Sequence, residues 1–110
     1  SPAWVATTLA KGAAPSLTPA EIHGLLLEGK IVVKLAEGLE LHRSRVMGVN
    51  RIELSGFTPH QKDRLKADGF FSEIIAWKLR LFCPTDASGV TILGTLLARF
   101  PVQELHARQG

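Results

Sequence analysis

Seven cationic or ionisable side chains lie on segments whose residue types predict β-strands, and they are the residues best suited to chemistry in this sequence. They are Lys34, His42, Arg43, Arg45, Arg51, Lys78 and Arg80. Arginine suits phosphate because its planar guanidinium donates two parallel hydrogen bonds and keeps its charge. A β-ribbon that carries several such groups can follow a nucleic-acid backbone. The pattern predicts a nucleic-acid-binding surface formed by these seven residues; the alternative is an ordinary solvated sheet face.

Strand parity opposes an exposed position for two of the arginines. Arg43 and Arg45 share strand parity with Leu39 and Leu41, whose side chains are expected in the core. Side chains on a strand alternate between the two faces of a sheet. The two arginines would therefore reach solvent only if a bulge intervenes or if the hairpin projects beyond the core.

Other motifs in the sequence offer little catalytic chemistry. Gly24 to Lys30 has the spacing of a phosphate-binding loop, but Ile31 replaces the hydroxyl residue, and a helix precedes the segment where a strand is required. The four histidines are scattered, and Cys83 is the single cysteine, expected as a buried apolar side chain. We expect no catalytic residue, no metal site and no cofactor, and the chain is not predicted to be an enzyme.

Composition favours one small domain. The chain has 110 residues, 45% of them hydrophobic, and a formal net charge of +3. That length suits a single core. A lone cysteine excludes an intrachain disulfide and favours a reducing compartment, with the cytoplasm as the expectation. No apolar run approaches the length of a membrane span, so no membrane association is expected.

Local signals place the first elements. A capping box at Thr18 to Glu21 begins a helix that Gly29 ends. Residues 30–36, 39–46 and 51–54 then alternate in the manner of three consecutive antiparallel strands.

The second half of the domain is predicted in the same way. A second helix follows Thr58 and ends at Gly69. Residues 73–82 are expected to form one long strand with Trp77 facing the core. A last helix begins near Thr85 or Asp86 and stops before Pro101.

These elements predict an α+β fold of order α-β-β-β-α-β-α, with a four-stranded, mainly antiparallel sheet and helices packed on one face. Residues 1–17 would form an N-terminal arm or linker, with a short helix as one interpretation. Residues 18–102 would form the single domain, and residues 103–110 a frayed tail.

Four segments carry a resemblance to a known family: Arg45 to Gly48, Arg51 to Leu54, Leu65 to Ile75 and Leu79 to Thr85. In these segments the chain resembles the C-terminal region of bacterial strawberry-notch-like methylase/helicase polypeptides carried by mobile elements. The resemblance implies an accessory piece of a DNA-binding parent protein, with methyl transfer and ATP hydrolysis performed elsewhere in the parent. No methyltransferase or helicase motif occurs in this sequence, so neither activity is assigned to any of its residues.

Two functions follow as hypotheses. The first is a non-catalytic accessory domain of a DNA-processing protein that contacts nucleic acid, DNA before RNA, through the basic hairpin. The second is a module that docks on other domains of the parent or forms a homodimer, without binding nucleic acid. The first predicts binding that weakens steeply with salt, and the second predicts an exposed apolar patch.

Overall fold

The computed structural model describes residues 17–108, so the predicted arm lies, apart from Leu17, outside the described residues. Within them, three α-helices and six β-strands follow one another along the chain, with a short 3-10 turn at Ala36–Gly38. The helices are α1 (Pro19–Leu27), α2 (Pro59–Ala67) and α3 (Ala87–Arg99). The strands are β1 (Ile31–Leu35), β2 (Glu40–Val46), β3 (Val49–Ser55), β4 (Phe71–Ile75), β5 (Lys78–Cys83) and β6 (Val102–Ala107).

The strands form one antiparallel sheet in the order β4-β5-β3-β2-β1-β6. The predicted α+β class is confirmed, but the predicted four-stranded sheet is wrong. One predicted strand is in fact a hairpin, and the segment after Pro101 adds a sixth strand.

The hairpin divides the segment expected to be one strand. Ala76 and Trp77 have φ angles of 53° and 64° and form a two-residue turn, after which Lys78 pairs back with Ile75. Turns of this geometry favour glycine and asparagine. The sequence therefore contains no ordinary turn signal here. Trp77, predicted in the core, is instead 98% exposed.

The predicted frayed tail is also wrong for the described residues after Pro101. Val102–Ala107 pairs antiparallel with β1, and Leu105 lies opposite Val33, both fully buried. The sequence did not predict this strand because polar residues lie between its apolar positions. Val102 and Leu105 of this strand are both part of the hydrophobic core.

Helices α1 and α3 cover one face of the sheet. Ile22 and Leu26 of α1 and Leu93 of α3 pack in the same buried cluster as Leu41 and Leu54 from the strands. In the described part of the chain, α3 is the longest helix, at 13 residues. None of the described helices meets the length and apolarity that crossing a membrane requires.

The helix starts confirm the predicted capping. Thr18 and Thr58 each accept a hydrogen bond from the backbone of the residue three positions on, and that residue's side chain reciprocates. Asp86 accepts from the backbone of Ser88 and begins α3. Side-chain caps fix helix starts because they satisfy amide groups that have no partner inside the helix.

Candidate functional site: the open sheet face and the β4–β5 hairpin

The sheet face opposite the helices, called the open face below, carries most of the predicted cations together with carboxylates. Strand alternation and register place the following residues on it: Lys34, Glu40, His42, Arg51, Glu53, Glu73, Lys78, Arg80 and Glu104. Cations and carboxylates are therefore interleaved on this face.

Glu53 is the centre of one ionic cluster. Arg80 donates from Nε to Oε2 at 2.8 Å and from Nη2 to Oε1 at 2.5 Å. His42 Nε2 lies 3.4 Å from Glu53 Oε1, and its Nδ1 lies 3.3 Å from Glu40 Oε2. Burial raises the pKa of the Glu53 carboxyl, but the hydrogen bonds and positive charge of Arg80, with help from His42, outweigh it and leave the pKa below its usual value of 4.5.

Arg51 makes the second ionic contact of the open face. Its Nη1 lies 2.7 Å from Glu73 Oε1, and its guanidinium carbon lies 5.0 Å from the centre of the Phe82 ring. The guanidinium carbon of Arg80 lies 5.6 Å from the centre of the same ring. The Phe71 ring also packs against the Phe82 ring. Phe82 is fully buried although it faces away from the helices. Two arginines thus cover an aromatic ring instead of extending towards solvent.

The remaining predicted residues do not join them. Arg43 lies on the helix side of the sheet, against Gly29, and donates to the carbonyl of Glu28 at 3.5 Å. Arg45 has the same strand parity and is exposed. Lys34 is exposed on the open face, opposite Glu40 and Glu104 in the strand register. The seven predicted contacts are therefore spread over two faces, and carboxylates pair with three of them, His42, Arg51 and Arg80.

The β4–β5 hairpin carries an exposed apolar surface. Ile74 and Leu79 face each other across the two strands and are 74% and 36% exposed, and Trp77 follows at the tip. We call these three residues the hairpin patch. Its position matters because β4 is the last strand at that edge of the sheet. At the other edge, the half-buried residues of β6 are Gln103, Glu104 and His106.

A cleft of about 670 Å³ opens between the end of β3 and the hairpin. The paired register of β3 and β5 runs from Ile52 and Cys83 to Leu54 and Leu81, and beyond this point the two strands separate. The cleft is lined by His42, Glu53, Leu54, Ser55, Gly56, Phe57, Ile75, Ala76, Lys78, Leu79 and Arg80.

Other reactive groups are few in the described part of the chain. No group of three or more His, Cys, Asp or Glu side chains is arranged there to hold a metal ion. Cys83 is buried, and its Sγ lies 3.4 Å from the Gly89 carbonyl oxygen. Burial, with a smaller effect of Asp86, raises the pKa of the Cys83 thiol to about 12. A thiol with so high a pKa is not a nucleophile at neutral pH.

Comparison of the chain with protein-family models, curated proteins and solved structures finds no match in any of the three.

Proposed function

We propose that this chain is a non-catalytic accessory domain that docks on another protein domain through the hairpin patch. The observation that carries the proposal is the 98% exposure of Trp77 beside Ile74, at a sheet edge. Large apolar side chains clustered in this way are characteristic of protein interaction sites. The resemblance described above supports a DNA-processing polypeptide as the parent, with the docking partner among its other domains.

The patch supplies part of the free energy that specific association requires. Complete burial of the Ile74 and Trp77 side chains would contribute about 5 kcal/mol before the entropic cost of association. Phe71, 40% exposed on the opposite face of β4, would add apolar contact for a partner that wraps the edge. An unpaired edge strand also offers backbone hydrogen bonds to an extended partner segment.

Nucleic-acid binding is the second candidate function, and one observation favours it. Trp77 precedes Lys78, and Lys78 forms no ion pair with any described residue. An exposed indole beside a cation is suited to stacking on an unpaired base. The interleaved carboxylates count against the broad phosphate-binding surface predicted from the sequence, because Arg51 and Arg80 are already paired with Glu73 and Glu53. Docking on protein is therefore preferred.

Site-specific photo-crosslinking in the native host tests the proposal. A benzophenone amino acid at position 77 would be compared with the same group at position 47. Met47 is the matched control because it is 96% exposed, also at the tip of a two-residue hairpin turn. We expect one defined protein adduct from position 77 that disappears when Ile74→Ser is added, and no such adduct from position 47.

The outcomes separate the candidates. Adducts to nucleic acid from position 77 would replace docking with the second candidate function. Equal, diffuse crosslinking from both positions would show that the hairpin patch has no specific partner, and the docking proposal would be abandoned.

A further inference from the structure

A carboxylate binds one edge of the Arg80 guanidinium, the edge formed by Nε and Nη2. Glu53 accepts from Nε and Nη2 of Arg80, and Nη1 donates to no group in residues 17–108. Glu53 itself is only 8% exposed, so the ion pair forms a fixed floor to the cleft. A guanidinium oriented by a buried carboxylate is preorganised to receive a second anion at its other edge.

Lys78 supplies a second cation at the same cleft. It lies two positions before Arg80 on β5, so both side chains leave the same face of the strand, about 7 Å apart along it. Lys78 and Arg80 together carry two positive charges against the single carboxylate of Glu53 in the cleft. A negative group that enters between them meets one positive charge that no residue of the cleft neutralises.

Apolar side chains line part of the cleft. Phe57 lies on the β3 side, and Ile75 and Leu79 lie on the hairpin side. The cleft volume of about 670 Å³ is in the range of small-molecule sites, which combine apolar walls with a few placed polar groups. The separation of β3 from β5 creates this space.

We propose that the cleft binds an organic anion, in which a carboxylate or phosphate contacts Lys78 and Nη1 of Arg80 and an apolar ring or chain lies against Phe57 and Ile75. This site goes beyond the docking proposal: its cationic contacts, Lys78 and Arg80, lie on the open face, and it shares only Leu79 with the hairpin patch. Glu53 is a positioning residue that acts through Arg80.

Nuclear magnetic resonance titration of the full chain tests the site. The backbone amide signals and the Nε–Hε signal of Arg80 would be followed with phenyl phosphate, phenylacetate and neutral phenylacetamide as probes. We expect saturable shifts at cleft residues with one or both anions, and at least tenfold weaker effects with the amide. The tighter of the two anions identifies whether the natural ligand carries phosphate or carboxylate.

Variants separate a site from a diffuse charge effect. Lys78→Met should weaken binding about tenfold, as the loss of one charge-assisted contact predicts. Lys66→Met, at an exposed lysine of α2 outside the cleft, should leave binding unchanged. Arg80→Lys keeps the charge and should still weaken binding, since it removes the second donor edge. Shifts that do not saturate, an equal response to the neutral amide, or equal effects of the variants at positions 78 and 66 would overturn the proposal.

Discussion

Glu53 and Arg80 are diagonal neighbours on β3 and β5 and share two hydrogen bonds, of 2.8 and 2.5 Å. Glu53 lies one residue before the last paired position of β3, Leu54, and Arg80 lies one residue beyond its partner Leu81 on β5. Side chains at diagonal positions of a sheet reach each other when they are long, as these are. The pair therefore joins the β4–β5 hairpin to the central strand at the place where backbone hydrogen bonding ends.

The first prediction concerns the stability that this pair provides. Glu53→Gln should reduce the free energy of unfolding at pH 7 by about 2 kcal/mol, because Arg80 loses a charged and mostly buried partner. The measurement is urea unfolding at pH 7. Glu73→Gln is the control: its carboxylate is 39% exposed in the pair with Arg51, and the loss should be within about 0.5 kcal/mol. Equal losses in the two variants would contradict the prediction.

The Glu53–Arg80 pair also predicts how the free energy of unfolding changes with pH. The pKa of Glu53 in the folded chain lies below 4.5, its usual value, so the folded state releases this proton at lower pH than the unfolded state. The stabilisation is complete above about pH 4.5 and decreases as the pH falls through the lower folded value. Unfolding free energies measured from pH 7 to pH 3 should therefore fall less steeply in Glu53→Gln than in the parent chain. Glu21 and Asp86, whose pKa values are also lowered by hydrogen bonds with Thr18 and Ser88, give both proteins a common background slope.

The helices were predictable because their signals are local. Thr18 and Thr58 cap their helices through residues three positions away, and such contacts need no knowledge of the tertiary fold. The turn at Ala76 and Trp77 was not predictable in this way. Both residues adopt a left-handed conformation that their side chains disfavour, and only pairing between β4 and β5 imposes it.

The sequence indicated the basic residues of the candidate site, but it did not indicate which carboxylates pair with them. The sequence named Arg51 and Arg80 as members of one basic surface, and the structure places both on the open face. Their partners Glu73 and Glu53 depend on strand register, which a single sequence does not provide. The hairpin patch was missed for a related reason: an uninterrupted strand would have buried Trp77, whereas the actual turn exposes it.

The hairpin turn predicts a variant that gains stability and loses docking. Replacing Ala76 and Trp77 by Asn and Gly should stabilise the chain by about 1–2 kcal/mol, because these residues accept the left-handed conformation of both positions. Little packing is lost, since Trp77 is 98% exposed. Thermal unfolding measures the gain. In Met47→Asn, the control at the other two-residue turn, stability should also rise but crosslinking from the hairpin patch should persist. A lower melting temperature for the double variant would show that Trp77 makes stabilising contacts in the folded chain.

A pair of glycine substitutions tests the packing of α1 and α3. A β-carbon at Gly89 would overlap the carbonyl oxygen of Pro84 and lie 2.7 Å from Nε2 of His23, which donates to that carbonyl at 2.8 Å. Gly89→Ala should therefore destabilise the chain by about 3 kcal/mol or prevent folding. Gly24→Ala is the matched control, because a β-carbon there meets no atom within 4 Å and alanine favours the helix by about 1 kcal/mol. Urea unfolding should thus show opposite signs for the two substitutions. A neutral Gly89→Ala would mean that the Pro84 segment moves freely away from α3.

Cys83 provides a measurement of global opening. Its thiol is buried and has a pKa of about 12, so at pH 8 almost no thiolate is present in the folded chain. A disulfide reagent such as dithionitrobenzoate should label the single thiol only when the core opens. The labelling rate should increase in Gly89→Ala and decrease in Gly24→Ala, with the logarithm of the rate changing in proportion to the change in unfolding free energy. In urea the reagent should react rapidly with one thiol per chain. Rapid labelling of the folded chain at pH 8, at a rate unaffected by either substitution, would contradict the burial of Cys83 between the sheet and α3.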